Sequence, residues 1–146
     1  MRRSGQRVIS GILALIMICS VLCTSASAAT YSSLYLNSYS GSVLPDKNGV
    51  VVISAHVTGR GFMDEIGVKT IFLYESEDGK DFHRVALYES TDYPVMMGSG
   101  TVFNRDLFRY QGIVGRYYVA SVYAYAGKDG NGDMRNYTTT MIMAKA

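Results

Sequence analysis

The side chains that most often carry out catalysis are few in this sequence and are poorly placed for it. Nothing in the spacing sets His56 or His83 beside a nucleophile or a third metal ligand, and no serine lies in a G-x-S-x-G elbow. Asp64 and Glu65 are adjacent, whereas the two carboxylates of a glycosidase stand on opposite sides of the bond that they cleave. The sequence therefore predicts no catalytic residue and a protein that is not an enzyme.

The segment from Asp129 to Asp133 has acidic and Asn residues at alternate positions, as in a calcium-binding loop. The rest of an EF-hand loop is missing, because Met134 stands where Gly is needed and Thr140 stands where the bidentate Glu is needed. The glycines of this segment favour a hairpin turn within residues 127–133 instead. We therefore predict no metal site and no cofactor.

Aromatic side chains are the residues best suited to binding. The chain has 12 Tyr and 5 Phe but no Trp, and Tyr offers a large amphipathic contact surface at low entropic cost. If the strands described below alternate regularly, one outer sheet face carries a platform of six rings: Phe72, Tyr74, Phe82, Tyr88, Tyr123 and Tyr125. The competing interpretation is that these rings only cover the sheet, and the lack of Trp weakens the case for sugar stacking.

The first 28 residues have the layout of a secretory signal peptide. Three arginines precede an apolar run from Val8 to Cys23, and small residues follow it up to Ala28 and Ala29. The run is shorter than the roughly 20 residues of a membrane-spanning helix. We therefore expect cleavage after Ala28 or Ala29, contact with the membrane only before cleavage, and a mature domain of residues 29–146.

Removal of the leader changes the charge and the cysteine content. It takes away three of the 14 Lys and Arg and none of the 12 Asp and Glu, so the formal charge falls from +2 to −1. The mature chain then lacks the broad cationic surface that nucleic acids require, and we predict no nucleic-acid partner. Both cysteines also leave, so the predicted domain has no disulfide, which is more typical of bacterial than of eukaryotic secreted domains.

The mature chain has the pattern of an all-β protein. Runs rich in Val, Ile, Thr, Tyr and Phe alternate with Gly, Asp and Asn clusters, and no segment has a clear helical period. Seven strands are predicted, one within residues 31–43 and the others at 50–58, 68–76, 82–90, 100–108, 116–126 and 134–144. The third and fourth strands are expected to pair through the Asp78-Gly79 turn. Seven short strands favour two packed sheets.

Alternation along these strands predicts which side chains face the core. The inward sets are Val51, Ile53, Ala55 and Val57 on the second strand, Ile71 and Leu73 on the third, Val85 and Leu87 on the fourth, and Tyr118, Ala120, Val122, Ala124 and Ala126 on the sixth. Residues 59–67 are predicted to cross between the sheets, with Phe62, Met63 and Ile66 filling one end of the core.

The segment from Gly115 to Ala120 resembles the penultimate strand of immunoglobulin-like and fibronectin type III domains. The resemblance implies an immunoglobulin-like sandwich in which Tyr118 is the tyrosine-corner residue and Ala120 occupies the position of a cysteine in antibody domains. The lack of Cys and Trp excludes a true antibody-type domain. The alternative is a jelly roll of the galactose-binding type, because residues 74–82 resemble a hairpin common in those modules.

Residues 59–67, the paired strands, the Asp-Gly hairpin, Tyr110-Gln111-Gly112 and Gly115-x-x-Tyr118 together resemble an uncharacterised family of small exported proteins of Gram-positive bacteria. This resemblance covers nearly all of the mature chain and implies one exported β-sandwich without a known activity. We predict a secreted, non-enzymatic binding or adhesion module, either free or associated with the cell wall, with an unidentified protein or cell-wall glycan as ligand. The alternatives are a self-assembling structural protein and, least favoured, a small hydrolase.

Overall fold

Nearly all of the chain that the computed structural model describes, residues 33–146, is extended. The strands are β1 (Leu36–Pro45), β2 (Val50–Met63), β3 (Glu65–Ser76), β4 (His83–Glu89), β5 (Met97–Gly98), β6 (Thr101–Gln111), β7 (Tyr117–Lys128), β8 (Asn131–Thr138) and β9 (Ile142–Met143). Short 3-10 turns occupy Lys47–Gly49 and Pro94–Met96. Within residues 33–146 no helix is long and apolar enough to cross a membrane. The predicted signal peptide, its cleavage site and both cysteines lie outside the described residues.

The strands form two antiparallel sheets that pack face to face. One sheet has the order β1-β2-β6, and the other has the order β4-β3-β7-β8, with β5 paired to β3 and β9 paired to β7. If the seven main strands are lettered A, B, C, C′, E, F and G in chain order, the sheets are A-B-E and C′-C-F-G. This is the arrangement of an immunoglobulin-like sandwich whose fourth strand joins the C-F-G sheet, and it confirms the predicted fold over the jelly roll.

The core lies between β2 of the first sheet and β3 and β7 of the second. The predicted inward sets of these three strands are confirmed, because every member is at most 1% exposed. On β7 the three alanines at 120, 124 and 126 share this face with Tyr118 and Val122, and on β2 the branched side chains of Val51, Ile53 and Val57 lie across from them. Large side chains from one sheet therefore fill the space that small ones leave on the other.

The chain passes from the first sheet to the second at Asp64 alone. The predicted crossing within residues 59–67 is confirmed but is shorter than expected, because β2 continues to Met63 and β3 begins at Glu65. Met63 and Ile66 are buried as predicted. The prediction for Phe62 is wrong, because it precedes Met63 on the same strand and therefore points to the opposite side, where it is 70% exposed.

The predicted orientation of β4 is wrong for Leu87, whereas Val85 packs against the core as predicted. Ile71 pairs with Tyr88 and Leu73 pairs with Ala86, so these β4 residues point towards the core, whereas Leu87 lies opposite Phe72 on the outer face. A bulge between Leu73 and Tyr74 adds a further irregularity. The physical reason is that residues 85–88 are apolar on both faces of an edge strand, so alternation cannot fix which face is buried.

The two predicted Asp-Gly turns differ in length. Asp129 and Gly130 both have positive φ, 54° and 76°, and form the two-residue turn of a tight hairpin between β7 and β8. The turn at Asp78-Gly79 is longer, and the Asp78 carboxylate organises it by accepting hydrogen bonds from the amides of Lys80 and Asp81 at 2.9 and 3.1 Å. The last predicted strand is interrupted at residues 139–141, between β8 and β9.

Candidate functional site

Four of the six rings predicted to form a binding platform lie on the outer face of the β4-β3-β7-β8 sheet. Phe72 and Tyr74 alternate with buried residues on β3, and Tyr123 and Tyr125 do so on β7. Phe72 is central, because its ring centroid lies 5.8 Å from that of Tyr123, edge-on, and 6.4 Å from that of Tyr74. These distances fall in the favourable range for aromatic pairs. We call these four residues the aromatic face.

Two cations, Lys69 on β3 and Arg84 on β4, lie over rings of the aromatic face. Lys69 Nζ lies 4.6 Å from the ring centroid of Tyr125, and the guanidinium carbon of Arg84 lies 5.7 Å from that of Phe72. Both distances are within the range of a cation–π interaction. The Lys69 ammonium group also forms an ion pair with Glu65 at 3.2 Å. The face therefore combines aromatic surface with positive charge.

Tyr125 lies over a pair of glycines. Gly127 and Gly132 face each other across β7 and β8, and a Cβ atom on either would clash with the Tyr125 hydroxyl. Because both positions lack side chains, the ring can approach the backbone closely. From the sequence, both glycines are predicted to lie in the turn, and this contact is not predicted. The two-residue spacing of Tyr125 and Gly127 is the signal for it, because it puts these two residues on the same face of β7.

Two further apolar side chains extend the aromatic face. Leu87 lies opposite Phe72 and is 39% exposed, and Met134 lies opposite Tyr125 and is 52% exposed. Neither was predicted. Leu87 was missed because β4 was assigned the wrong orientation, and Met134 because its partner on β7 depends on the exact register of the hairpin.

The structure separates the remaining two predicted rings from the aromatic face. Tyr88 points to the core side of β4, where its ring lies 4.6 Å from that of Phe108 and 5.6 Å from that of Tyr93. The prediction that Tyr88 lies on the outer face is therefore wrong, for the reason given above for Leu87: the run of apolar residues on β4 does not reveal which face is buried. Phe82 precedes β4 in the loop and is half-buried, outside the row of contacting rings.

Similarity to known proteins does not identify this sandwich. No protein-family model matches the sequence, and no curated protein is significantly similar to it. The expected kinship with exported proteins of Gram-positive bacteria therefore stays a prediction.

A cavity of about 320 Å³ adjoins the aromatic face at the β7–β8 turn. Its lining combines the Tyr125 ring with polar side chains of Asp64, Glu65, Lys128 and Asn131. The Asp64 carboxylate is held in place, because it accepts a hydrogen bond of 2.7 Å from the Asp129 amide. Hydrogen-bonding groups therefore lie next to aromatic surface, an arrangement that suits a ligand with both polar and apolar parts.

A buried hydrogen-bond network joins β3, β7 and the loop before β7. The Glu75 carboxylate, 3% exposed, accepts short hydrogen bonds from the Tyr118 hydroxyl and the Arg116 guanidinium. The Ile113 amide donates to the Tyr118 hydroxyl oxygen at 2.8 Å, which is the backbone contact of a tyrosine corner. Burial opposes ionisation of Glu75, but the bonds from Tyr118 and Arg116 outweigh it and hold the Glu75 pKa below its ordinary value. Burial and the bond to Glu75 raise the pKa of Tyr118 to about 12.

Asp106 is a second buried acid, on the inner face of β6. It is 4% exposed, and its Oδ1 atom has no hydrogen-bond partner within residues 33–146. Its Oδ2 atom accepts one long hydrogen bond of 3.3 Å from the Asn104 amide group. Burial raises the pKa of Asp106 to about 6.

The two histidines occupy separate places. His56 is exposed on the outer face of the β1-β2-β6 sheet, and His83 lies at the start of β4, with its Nε2 atom 3.8 Å from Glu75. In the described part of the chain, no group of three or more His, Cys, Asp or Glu side chains is placed to hold a metal ion. Asp133, part of the calcium-like segment, instead accepts a hydrogen bond from the Leu34 amide at 3.0 Å.

Proposed function

We propose that this protein is exported and acts outside the cell as a non-enzymatic binding or adhesion module that contacts its ligand through the aromatic face. The observation that carries the proposal is the contiguous row of Tyr74, Phe72 and Tyr123 on an outer sheet face. The outer face of an antiparallel sheet is usually polar. Large rings in that position, continued by Leu87 and Met134, form the kind of apolar patch that marks an interaction surface.

The chemistry around the rings favours a binding role over simple coverage of the sheet. Aromatic residues and arginine are enriched where interfaces concentrate their binding energy. Here Arg84 and Lys69 border the rings, and the polar cavity beside Tyr125 supplies hydrogen-bonding groups. A cell-wall glycan or an extracellular protein loop could contact both kinds of surface at once. The leader-like first 28 residues support export to the compartment that contains such ligands.

A pelleting assay tests this proposal. Protein lacking residues 1–28, which retains every residue of the sandwich, is mixed with intact cells or purified walls of the producing organism. We expect saturable pelleting and at least about 30-fold weaker binding by Tyr74→Ala combined with Tyr123→Ala, because even one aromatic anchor at an interface contributes about 2 kcal/mol or more. Tyr39→Ala is the matched control, since Tyr39 lies on the other sheet and is 38% exposed.

Circular dichroism of each variant checks that the sandwich remains folded. Absence of pelleting would contradict binding at the cell surface. Equal pelleting of the wild type and the double variant would contradict the aromatic face as the contact surface. Equal loss in the Tyr39→Ala control would also contradict it, because the effect would then be unspecific.

The free edge of β6 favours self-assembly as a second candidate function. β6 has 11 residues and pairs only with β2 in its sheet, and it exposes 55% each of Phe103 and Leu107. An unpaired edge can add a strand from another copy. Sedimentation velocity over a wide concentration range is expected to show dimers or larger species if this function is correct. A monomer at every concentration would contradict it.

A further inference from the structure

The outer face of the β1-β2-β6 sheet has a polar cavity of about 410 Å³. It lies on the opposite side of the sandwich from the aromatic face, and six residues from three strands line it: Ser40, Gly41, Ser42, Ser54, His56 and Arg105. The depression exists because the outward residues of β1 at this place are Ser40 and Ser42, whose short side chains rise little above the sheet.

The strand register arranges these donors in two rows. Ser40 pairs with His56, and His56 pairs with Arg105, so these three residues cross the sheet in a line. Ser42 and Ser54 form the next row. Side chains directly opposite each other on neighbouring strands have Cβ atoms about 5 Å apart. One guanidinium, one imidazole and three hydroxyls therefore line this depression.

The outward side chains of β1, β2 and β6 include positive charges but no negative ones. None of the outward positions of β1, β2 and β6 carries Asp or Glu, and the single acid of these strands, Asp106, points into the core. Arg109 follows Arg105 by four residues on the same face of β6, and it forms an ion pair with Asp46 at 2.8 Å. Arg105 makes no ion pair or side-chain hydrogen bond with any residue that the structure describes. Its charge is therefore directed to the cavity without a counter-ion from the chain.

We propose that this cavity binds a phosphoryl group. A guanidinium offers a planar fork of donors that matches phosphate oxygens, and serine hydroxyls donate to the same acceptors. The donors approach from three strands, which suits a tetrahedral anion better than a planar carboxylate. His56 contributes a ring nitrogen, and its orientation is fixed by a contact of 3.1 Å between its Nε2 atom and the Thr58 hydroxyl. The group belongs either to a small soluble phosphate or to a lipid headgroup.

Nuclear magnetic resonance titration with inorganic phosphate tests the site on the protein lacking residues 1–28. Chloride is exchanged for phosphate at constant ionic strength, so that general screening does not change. We expect saturable shifts of the backbone amides of residues 40–42, 54–56 and 105. Arg105→Gln is expected to weaken binding about tenfold, as the loss of a charge-assisted hydrogen bond should. Ser54→Ala, which keeps the charge, is expected to weaken it less.

Arg109→Gln is the matched control, because it removes the same charge from the same strand and face. Equal weakening by Arg105→Gln and Arg109→Gln would overturn the proposal, since the effect would then be general electrostatics. Shifts without saturation, or unchanged affinity in Arg105→Gln, would also overturn it. Because the aromatic face is on the other sheet, Arg105→Gln should leave pelleting with cell walls unchanged, so the two proposals fail separately.

Vesicles distinguish the source of the phosphoryl group. Phosphatidylglycerol vesicles that sediment the wild type but not Arg105→Gln, while phosphatidylcholine vesicles sediment neither, would assign the site to a lipid headgroup. Saturable binding of inorganic phosphate without sedimentation by either vesicle would assign it to a small soluble phosphate. If neither probe binds in an Arg105-dependent way, the proposal is wrong.

Discussion

Asp106→Asn is expected to raise the free energy of unfolding by about 2 kcal/mol at pH 8 and by only about 0.5 kcal/mol at pH 5, where about half of the charge penalty is present. The carboxylate is buried on β6, has one oxygen without a partner within residues 33–146, and has a pKa raised from 3.8 to about 6. A shift of this size corresponds to a penalty of about 3 kcal/mol for the ionised form in the folded state. Asn removes the charge but leaves a buried amide with few partners, so the gain is smaller than the penalty.

The sign of the pH dependence follows from the direction of the shift. The folded state holds the Asp106 proton more tightly than the unfolded state does, so this group favours folding at low pH. Its penalty begins as the pH rises above 3.8 and is complete once the pH has passed 6. Urea denaturation at pH 5 and pH 8 measures the difference in the free energy of unfolding between the wild type and Asp106→Asn. A stability difference that is the same at both pH values would contradict the assignment, and the exposed Asp92→Asn serves as control.

Tyr118→Phe is expected to lower the free energy of unfolding by about 2–3 kcal/mol, because buried polar groups lose their partner. The ring, which is fully buried, is kept, so packing changes little. The lost hydroxyl leaves the Ile113 amide without an acceptor and Glu75 without one of its donors. Urea denaturation measures the loss. Tyr117→Phe is the matched control, since Tyr117 is adjacent and only half-buried, and an equal loss in both variants would contradict a special role of the corner.

Glu75 gives this network a pH dependence opposite to that of Asp106. Its pKa is lowered from 4.5, so its contribution to stability is present above that value and is lost as the pH falls through the folded-state pKa. Glu75→Gln should therefore cost stability at pH 6 and little in strong acid.

The sequence predicted the strands that have one buried face and failed where both faces are alike. On β2 the polar residues Ser54, His56 and Thr58 mark the outer face, and on β7 the alternate positions from Ala120 to Ala126 carry no side chain larger than Val, so the buried face followed from the pattern. On β4 the run from Val85 to Tyr88 has no polar member, and the orientation was assigned wrongly. The tyrosine corner was found because a local motif, Gly115-x-x-Tyr118, marks it.

The buried acids and the phosphoryl cavity show what a linear pattern omits. Glu75 follows Ile71 and Leu73 at two-residue spacing, so alternation already placed it inside, but an acid is normally taken to be exposed. Arg105 and Ser40 line the same cavity only because both pair with His56 on the strand between them. That register depends on the assembled sheet, and no spacing along the chain reveals it.

The two-residue turn at Asp129-Gly130 also has a consequence for the kinetics of folding. The β7–β8 hairpin brings together residues that are close in the chain, and isolated hairpins form within about 1–10 μs. The pairs that complete the sheets, such as Ile53 with Phe108 and Ile71 with Val122, join distant segments and carry a much larger loop-closure entropy. We therefore expect the pairing of the first half of the chain with the second half to be the slow step in folding, and the β7–β8 hairpin to form before it.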